Sequence, residues 1–374
     1  MGGCAGKSAK SQENAVDPAR RRLSDLKANQ VDQKKNEKER GVIAKSEEGS
    51  VLDLFPDSTK RCSIAGTISE AQQKGFADKK IQKFGEETIK AAGHQIGFAC
   101  KKGLKPESPN QDDFCIICSD SDVILGVFDG HGPYGHDISN FAHETLPEQV
   151  VRDSRFKEDP AQALGDAFSK THNLCTEQAK SQNGAVFDCT LSGTTATVVL
   201  QRQDSLHVAH VGDSRAVLAK GRTASELKAE DLTVDHKPDI QEERRRIEEH
   251  GGQVRRLEGD IPHRVFLPNK MYPGLAMTRS IGDEVGVSAG VISTPDVSTR
   301  QIAQDWRFLV LCSDGVWEFI KSQEAVDIVK KFPAQDAQKS AEALASEAWN
   351  RWIEEEGNVV DDITVIVAWF NEIK

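Results

Sequence analysis

The chain has no apolar run approaching the roughly 18–20 residues that a membrane-spanning helix requires, and no charged-then-apolar leader opens it. It is therefore expected to be neither membrane-spanning nor secreted. It also lacks a basic balance: 59 Asp and Glu outweigh 48 Lys and Arg, giving a formal net charge of −11. Affinity for a phosphate backbone needs a basic face, so nucleic acid is not an expected partner. Cysteines are sparse, eight in 374 residues, and form no small disulfide framework. Most lie in apolar runs, where they pack as small hydrophobes in a reducing compartment. Cys115 and Cys118 make a CxxC, but no second pair follows at zinc-site spacing and the surrounding FCIIC reads as a buried strand. No internal repeat is present.

Residues 1–50 are rich in Lys, Arg, Glu, Gln, Ser and Ala and nearly devoid of large apolar side chains, so they bury too little surface to offset the entropy of ordering. A mobile tail is expected over residues 1–60. It begins Met1-Gly2-Gly3-Cys4, which places Gly2 where N-myristoylation acts and Cys4 where a second acyl chain can follow. One myristoyl chain holds a membrane only marginally, so Cys4 and the nearby Lys7, Lys10 and Arg20 to Arg22 complete the expected tether to a cytoplasmic membrane face. Position 6 departs from the motif, Gly6 standing where Ser or Thr is usual. A flexible glycine-rich start without lipid is the alternative. Residues 61–92 read as a helical extension or docking segment, since Glu70 to Ala92 has helical character.

From residue 93 to 374 the texture changes. Short β-branched runs alternate with turns, and pairs such as VVLQRQDSLHVAH, with Arg202 to Asp204 between two strand patterns, signal antiparallel hairpins. Longer helical patterns intervene near 136–150, 160–182, 239–250 and 335–354. Strands and helices in segregated blocks predict an α+β domain whose sheets are covered by helices.

Acidic residues recur at strand margins. Val127-Phe128-Asp129-Gly130-His131-Gly132 ends an apolar run in a carboxylate, a glycine that admits close backbone approach, and an imidazole suited to proton donation. Taken alone, a tight turn with a solvated imidazole accounts for it equally. Leu311-Cys312-Ser313-Asp314-Gly315, Val360-Asp361-Asp362, Asn110-Gln111-Asp112-Asp113 and Val211-Gly212-Asp213 repeat the pattern. Hard cations such as Mg²⁺ and Mn²⁺ take oxygen ligands from a few converging carboxylates, and the combination points to such a site.

The ordered set PNQDDF (109–114), VFDGHG (127–132), SGTTA (192–196), VGDSRAVL (211–218), DHKP (235–238), ERRRIEEHGG (243–252), LAMTRSIGD (275–283), LCSDGVWE (311–318) and DDITVIV (361–367) resembles the type 2C, metal-dependent protein serine/threonine phosphatases over about residues 93–370. The resemblance implies a four-layer α-β-β-α sandwich of two antiparallel sheets, with a metal centre at one end. It implies that Asp129 bridges two Mg²⁺ or Mn²⁺ ions, with the Gly130 carbonyl on one of them and Asp314 and Asp361 on the other. Asp112 would then hold metal-bound waters, and Asp213 a weaker third ion. Gln111 departs from the more usual Glu, and Glu318 from the usual Asp. The implied reaction is hydrolysis of phosphoserine and phosphothreonine monoesters by a metal-bridging water or hydroxide, with His131 as general acid. Where many members carry a phosphate-gripping arginine, Lys105 or Lys102 stands in. The expected protein is a monomer acting on phosphorylated proteins. A weakly active relative serving as a membrane-tethered binding module, and a phosphoesterase for small molecules, are the competing readings.

Overall fold

A computed structural model describes residues 51–370 apart from 56, 57, 59, 60, 69–72, 86–94, 106, 107, 182–186, 260 and 261. The expected lipidation sites Gly2 and Cys4, with most of the expected tail, lie outside the described residues.

The longest apolar runs become the central strands. β4 (Asp112–Cys118) is buried along its whole length and pairs antiparallel with β5 (Asp122–His131). Both faces of these strands meet protein, so their sequence is continuously apolar rather than alternating. Around them a first sheet runs β15 (Asp296–Gln301), β8 (Ser205–Val211), β7 (Ala196–Arg202), β5, β4, β1 (Cys62–Gly66) and β2 (Ile81–Gly85). The short strands β6 (Gly193–Thr194) and β14 (Ile281–Gly282) branch from β5. The second sheet runs β10 (Lys228–Asp231), β9 (Arg215–Lys220), β16 (Trp306–Cys312), β17 (Ile363–Trp369) and β3 (Gln95–Lys101). Every strand pair in both sheets is antiparallel, and the expected hairpin closes at Arg202↔Ser205.

Three apolar layers hold the stack together. Ile64, Phe114, Ile116, Leu125, Val127, Leu218, Leu311 and Ile366 fill the space between the sheets. Helices α1 (Gly135–Arg152) and α2 (Pro160–Ala179) cover the outer face of the first sheet through Ile138, Leu146, Leu164 and Phe168, against Ile117, Ile124 and Leu200. Beyond the second sheet, α6 (Ser322–Val329) and α7 (Ala337–Glu356) pack Val326, Leu344 and Trp352 on Phe308, Val310 and Val365. This is the expected α-β-β-α sandwich. Fully burying each such side chain contributes about 1.5–3 kcal/mol. A small third sheet, β11 (Gln253–Arg256), β12 (His263–Phe266) and β13 (Pro273–Leu275), closes on α3 (Gln241–Glu249) and α4 (Glu284–Val287) through Ile247, Val265 and Ala289.

One expectation is corrected. The described part of 61–92 holds no helix: β1 pairs with β4 inside the first sheet, and β2 forms that sheet's edge. Residues 70–72 and 86–92 of the expected helix lie outside the described residues. Lys79 explains why this segment belongs to the sheet. It is wholly buried, its ammonium donating to the Asp112 carbonyl and, at 3.0 Å, to Asp113 Oδ2. Leu52 and Phe55, assigned by sequence to the tail, join the helix-facing core. The CxxC splits as a strand must: Cys115 lies in the helix-facing core and Cys118 between the sheets, opposite Cys62.

Candidate active site

Strand ends from both sheets bring the acids together. Asp112 on β4 is in register with Asp129 on β5. Asp213 lies in the turn that carries the chain from β8 in the first sheet to β9 in the second. Asp314 opens the short helix α5 (Asp314–Trp317) directly after β16, and Asp361 precedes the neighbouring β17. Carboxylate oxygens of Asp129, Asp213 and Asp314 lie within 4.8 Å of one another. Gly130 is required by close approach: a Cβ there would lie 2.2 Å from the Gly135 carbonyl and 2.5 Å from that of Gln111.

The electrostatics of this end are unbalanced. Burial, then the charges of Asp314, Asp112, Asp361 and Asp213, raise the Asp129 pKa well above the carboxylate range. Burial and Asp362 push Asp112 up to about 8, against hydroxyl hydrogen bonds of 2.7 Å from both Ser313 and Thr364. Converging hard oxygen donors that repel one another are the donor set a small divalent cation satisfies, so these residues fit the metal their pattern implies. Two lysines partly balance the charge. The Lys105 ammonium is on Asp361 Oδ1, and that of Lys237 is on Asp213 Oδ2. Burial works against the charge of Lys237, but Asp213 and Asp314 outweigh it and raise its pKa.

His131 is beside the cluster, its Nε2 2.7 Å from Asp283 Oδ2. Burial disfavours the imidazolium, yet the charge and hydrogen bond of Asp283 prevail and raise the pKa above the usual histidine value. Of the two candidate phosphate-binding lysines, Lys105 reaches the acidic cluster, whereas Lys102 is buried and donates to the Lys105 carbonyl at 2.6 Å. Lys102 therefore supports the loop that carries Lys105. Gln111 donates its side-chain amide to the Gly132 carbonyl at 2.7 Å, and Glu318 is exposed. Asp113, one residue from Asp112, points to the other face of β4. There burial opposes its charge, and His143 and Lys79 more than compensate, lowering its pKa.

Arg279 and Asp283 do not pair with each other. Arg279 binds Glu243 at 2.6 Å and Asp296 at 2.8 Å, and Arg246 also binds Glu243, at 2.7 Å, so α3 is tied inward rather than merely solvated. His210, His236 and Asp296 also cluster, with stacked rings 4.4 Å apart. This second group does not suit a cation. His236 accepts the Gly212 N–H on Nδ1 at 3.1 Å, so its Nε2 carries the proton facing Asp296 and offers no lone pair. Sequence reasoning did not assign Lys237, Ser313 or Thr364 to the site. The DHKP segment was the available signal for Lys237, and Ser313 directly precedes Asp314.

A model of the protein phosphatase 2C family matches residues 101–357. The chain is 36% identical over 299 residues to Probable protein phosphatase 2C 35 of Arabidopsis thaliana, covering 73% of this chain and 83% of that protein. It is likewise 36% identical over 313 residues to Probable protein phosphatase 2C 48 of Oryza sativa subsp. japonica, covering 77% and 85%. In structure it resembles the serine-threonine phosphatase 2C from Toxoplasma gondii, with a TM-score of 0.64 at 21% identity over 75% of this chain and 96% of that one.

Proposed function

The chain belongs to the protein phosphatase 2C family and is a metal-dependent protein serine/threonine phosphatase, and we propose that it hydrolyses phosphoserine and phosphothreonine esters at the Asp129–Asp213–Asp314 cluster with His131 as general acid. The carrying observation is the convergence of the Asp129, Asp213 and Asp314 carboxylates, whose oxygens lie within 4.8 Å of one another at the strand ends. Asp129, Asp314 and Asp361, with the Gly130 carbonyl, would hold two Mg²⁺ or Mn²⁺ ions, Asp112 would orient coordinated waters, and Asp213 would serve a weaker third position. Bound there, divalent cations supply Lewis acidity that lowers the proton affinity of water and offsets charge on the phosphoryl oxygens.

The chain's own groups do the rest. His131 delivers a proton to the serine or threonine oxygen as the ester bond breaks, because an alkoxide is a poor leaving group. Lys105, whose ammonium rests on Asp361 at the edge of the cluster, would pair with the substrate phosphate as a point charge. Lys237 already neutralises Asp213, so the third position is weakened by an internal cation. No helix among the described residues is long and apolar enough to cross a membrane. We place the protein at a cytoplasmic membrane face through acylated Gly2 and Cys4, as a monomer, on the strength of its first four residues and the basic residues after them.

Hydrolysis of a phosphothreonine peptide by the full chain, with Mn²⁺, with Mg²⁺ and with chelator, alongside Asp314→Ala, tests the site. Turnover should require metal and collapse in the variant. Folded, metal-loaded protein that turns over no phosphopeptide would instead favour a binding module.

A further inference from the structure

His131, Gly193 and Gly282 lie in one row. Across β5 and β6, His131 is opposite Gly193; across β6 and β14, Gly193 is opposite Gly282. Asp283 follows Gly282 and turns into the left-handed region, φ 51° and ψ 51°, while its N–H donates to the Ser192 carbonyl at 2.9 Å. That turn folds its carboxylate back over Gly193 to His131. The return path exists only because residue 193 lacks a side chain: a Cβ there would lie 2.2 Å from Asp283 Oδ2. Ser280 Oγ donates to the same oxygen at 2.5 Å, and the Gly282 N–H donates to His172 Nδ1 at 3.2 Å, fixing the turn. Asp283 is fully buried, and its ion-pair partner among the described residues is His131. A buried carboxylate held without a lysine or arginine is retained at a cost, and that cost points to its imidazole partner.

We infer that Asp283 is a positioning residue for His131, holding the ring by Nε2 beside the acidic cluster, where the imidazolium serves as proton donor to the leaving oxygen. His131 Nδ1 is buried on the side of the Asp129 backbone carbonyl, which steadies the ring from its other edge. In the step, the ester P–O bond breaks, its electron pair stays on the alcohol oxygen, and an imidazolium proton of His131 moves to that oxygen. His131 becomes neutral and Asp283 remains a carboxylate. The inference rests on His131 being the general acid.

The test uses the full Mn²⁺-loaded chain with Asp283→Asn, His131→Gln and the double variant. Asn tolerates the left-handed backbone, so Asp283→Asn keeps the turn. On phosphothreonine peptide and phenyl phosphate, whose leaving groups need a proton, kcat of Asp283→Asn should fall on the order of 10–100-fold. On p-nitrophenyl phosphate, whose leaving group does not, the fall should be only several-fold. The double variant should be no worse than His131→Gln, because residues acting as one unit are not additive. An equal loss on all substrates, or an additive double variant, would reduce Asp283 to a structural role and overturn the inference. Nitrogen-15 spectra of the histidine rings give a readout free of turnover: Asp283→Asn should shift the His131 ring nitrogens, and unchanged resonances would also overturn it. Wild-type protein without any turnover would remove the general-acid role first, separating that failure from this one.

Discussion

Asp112 and Asp129 stand directly opposite each other on neighbouring antiparallel strands, two carboxylates in register at the acidic end of the sandwich. Like charges in that position destabilise a sheet, so the fold is strained where its chemistry is concentrated. Asp129→Asn removes one member of the pair. In chelator at about pH 9, above the value of about 8 to which Asp112 holds its proton, the variant should melt higher than wild type by roughly 2–4 °C for each kcal/mol of repulsion relieved. Adding Mn²⁺ should stabilise wild type but not the variant, and turnover should be lost. A metal-free variant that melts lower than wild type would contradict the repulsion argument.

The same acids set a pH dependence. An unfolded aspartate titrates near 3.9, whereas burial and then Asp362 keep Asp112 protonated up to about 8. The fold thus binds this proton more tightly than the unfolded chain does. Its contribution to stability is full below about pH 4 and is lost as the pH rises towards about 8. The urea midpoint of metal-free protein should therefore decline between about pH 5 and about pH 8.5, and saturating Mn²⁺ should flatten the decline. A midpoint that rises over this range would refute the assignment.

Lys237 is the internal counter-ion of Asp213. Lys237→Met leaves a buried carboxylate without its partner, a loss of about 1–3 kcal/mol in chelator. Because the vacated carboxylate is then available, calorimetric titration should show tighter binding of the weakest Mn²⁺ than in wild type. Unchanged metal affinity would separate Lys237 from the cation site.

Lys105 should act on substrate rather than on bond breaking. Lys105→Met is expected to raise KM for a phosphothreonine peptide about tenfold, equivalent to ~1.4 kcal/mol, with kcat changed less. Lys105→Arg should restore or improve KM, since guanidinium grips phosphate in a bidentate fork. Steady-state kinetics on the three proteins decide this, and an unchanged KM in Lys105→Met would transfer the role elsewhere.

Membrane association should depend on the start of the chain. Gly2→Ala is expected to move the protein from the membrane to the soluble fraction of lysed cells, and Cys4→Ser to do so in part, because one acyl chain binds only marginally. An unaltered partition of Gly2→Ala would exclude the tether.

Much of this was legible beforehand, for local reasons. Buried strands such as Asp112–Cys118 and Ile363–Trp369 announce themselves as short β-branched runs, and acids at strand ends stand out because such runs otherwise exclude charge. What stayed hidden depends on contacts remote in sequence. Thr364 reaches Asp112 across 252 positions, and Lys105 reaches Asp361 across 256. Neither pairing leaves a local trace. β1 was missed because Cys-Ser-Ile-Ala-Gly is short and small, its strand state imposed by β4 rather than by propensity. Lys102 and Lys105 looked interchangeable as sequence, and only the direction of each side chain separates them.

Lys79 also decides where the chain can be cut. The change of texture at residue 93 invites a fragment that begins there, yet such a fragment would lack both β1 and the one lysine buried against Asp113. Asp113 would keep His143 at 3.2 Å and Asn140 at 3.3 Å as neighbours, but its ammonium would be gone and the open edge of β4 would face water or another molecule's strand. A fragment that keeps both contacts must begin before Cys62, a boundary drawn by a buried charge pair and its strand rather than by the hydrophobic pattern of the chain.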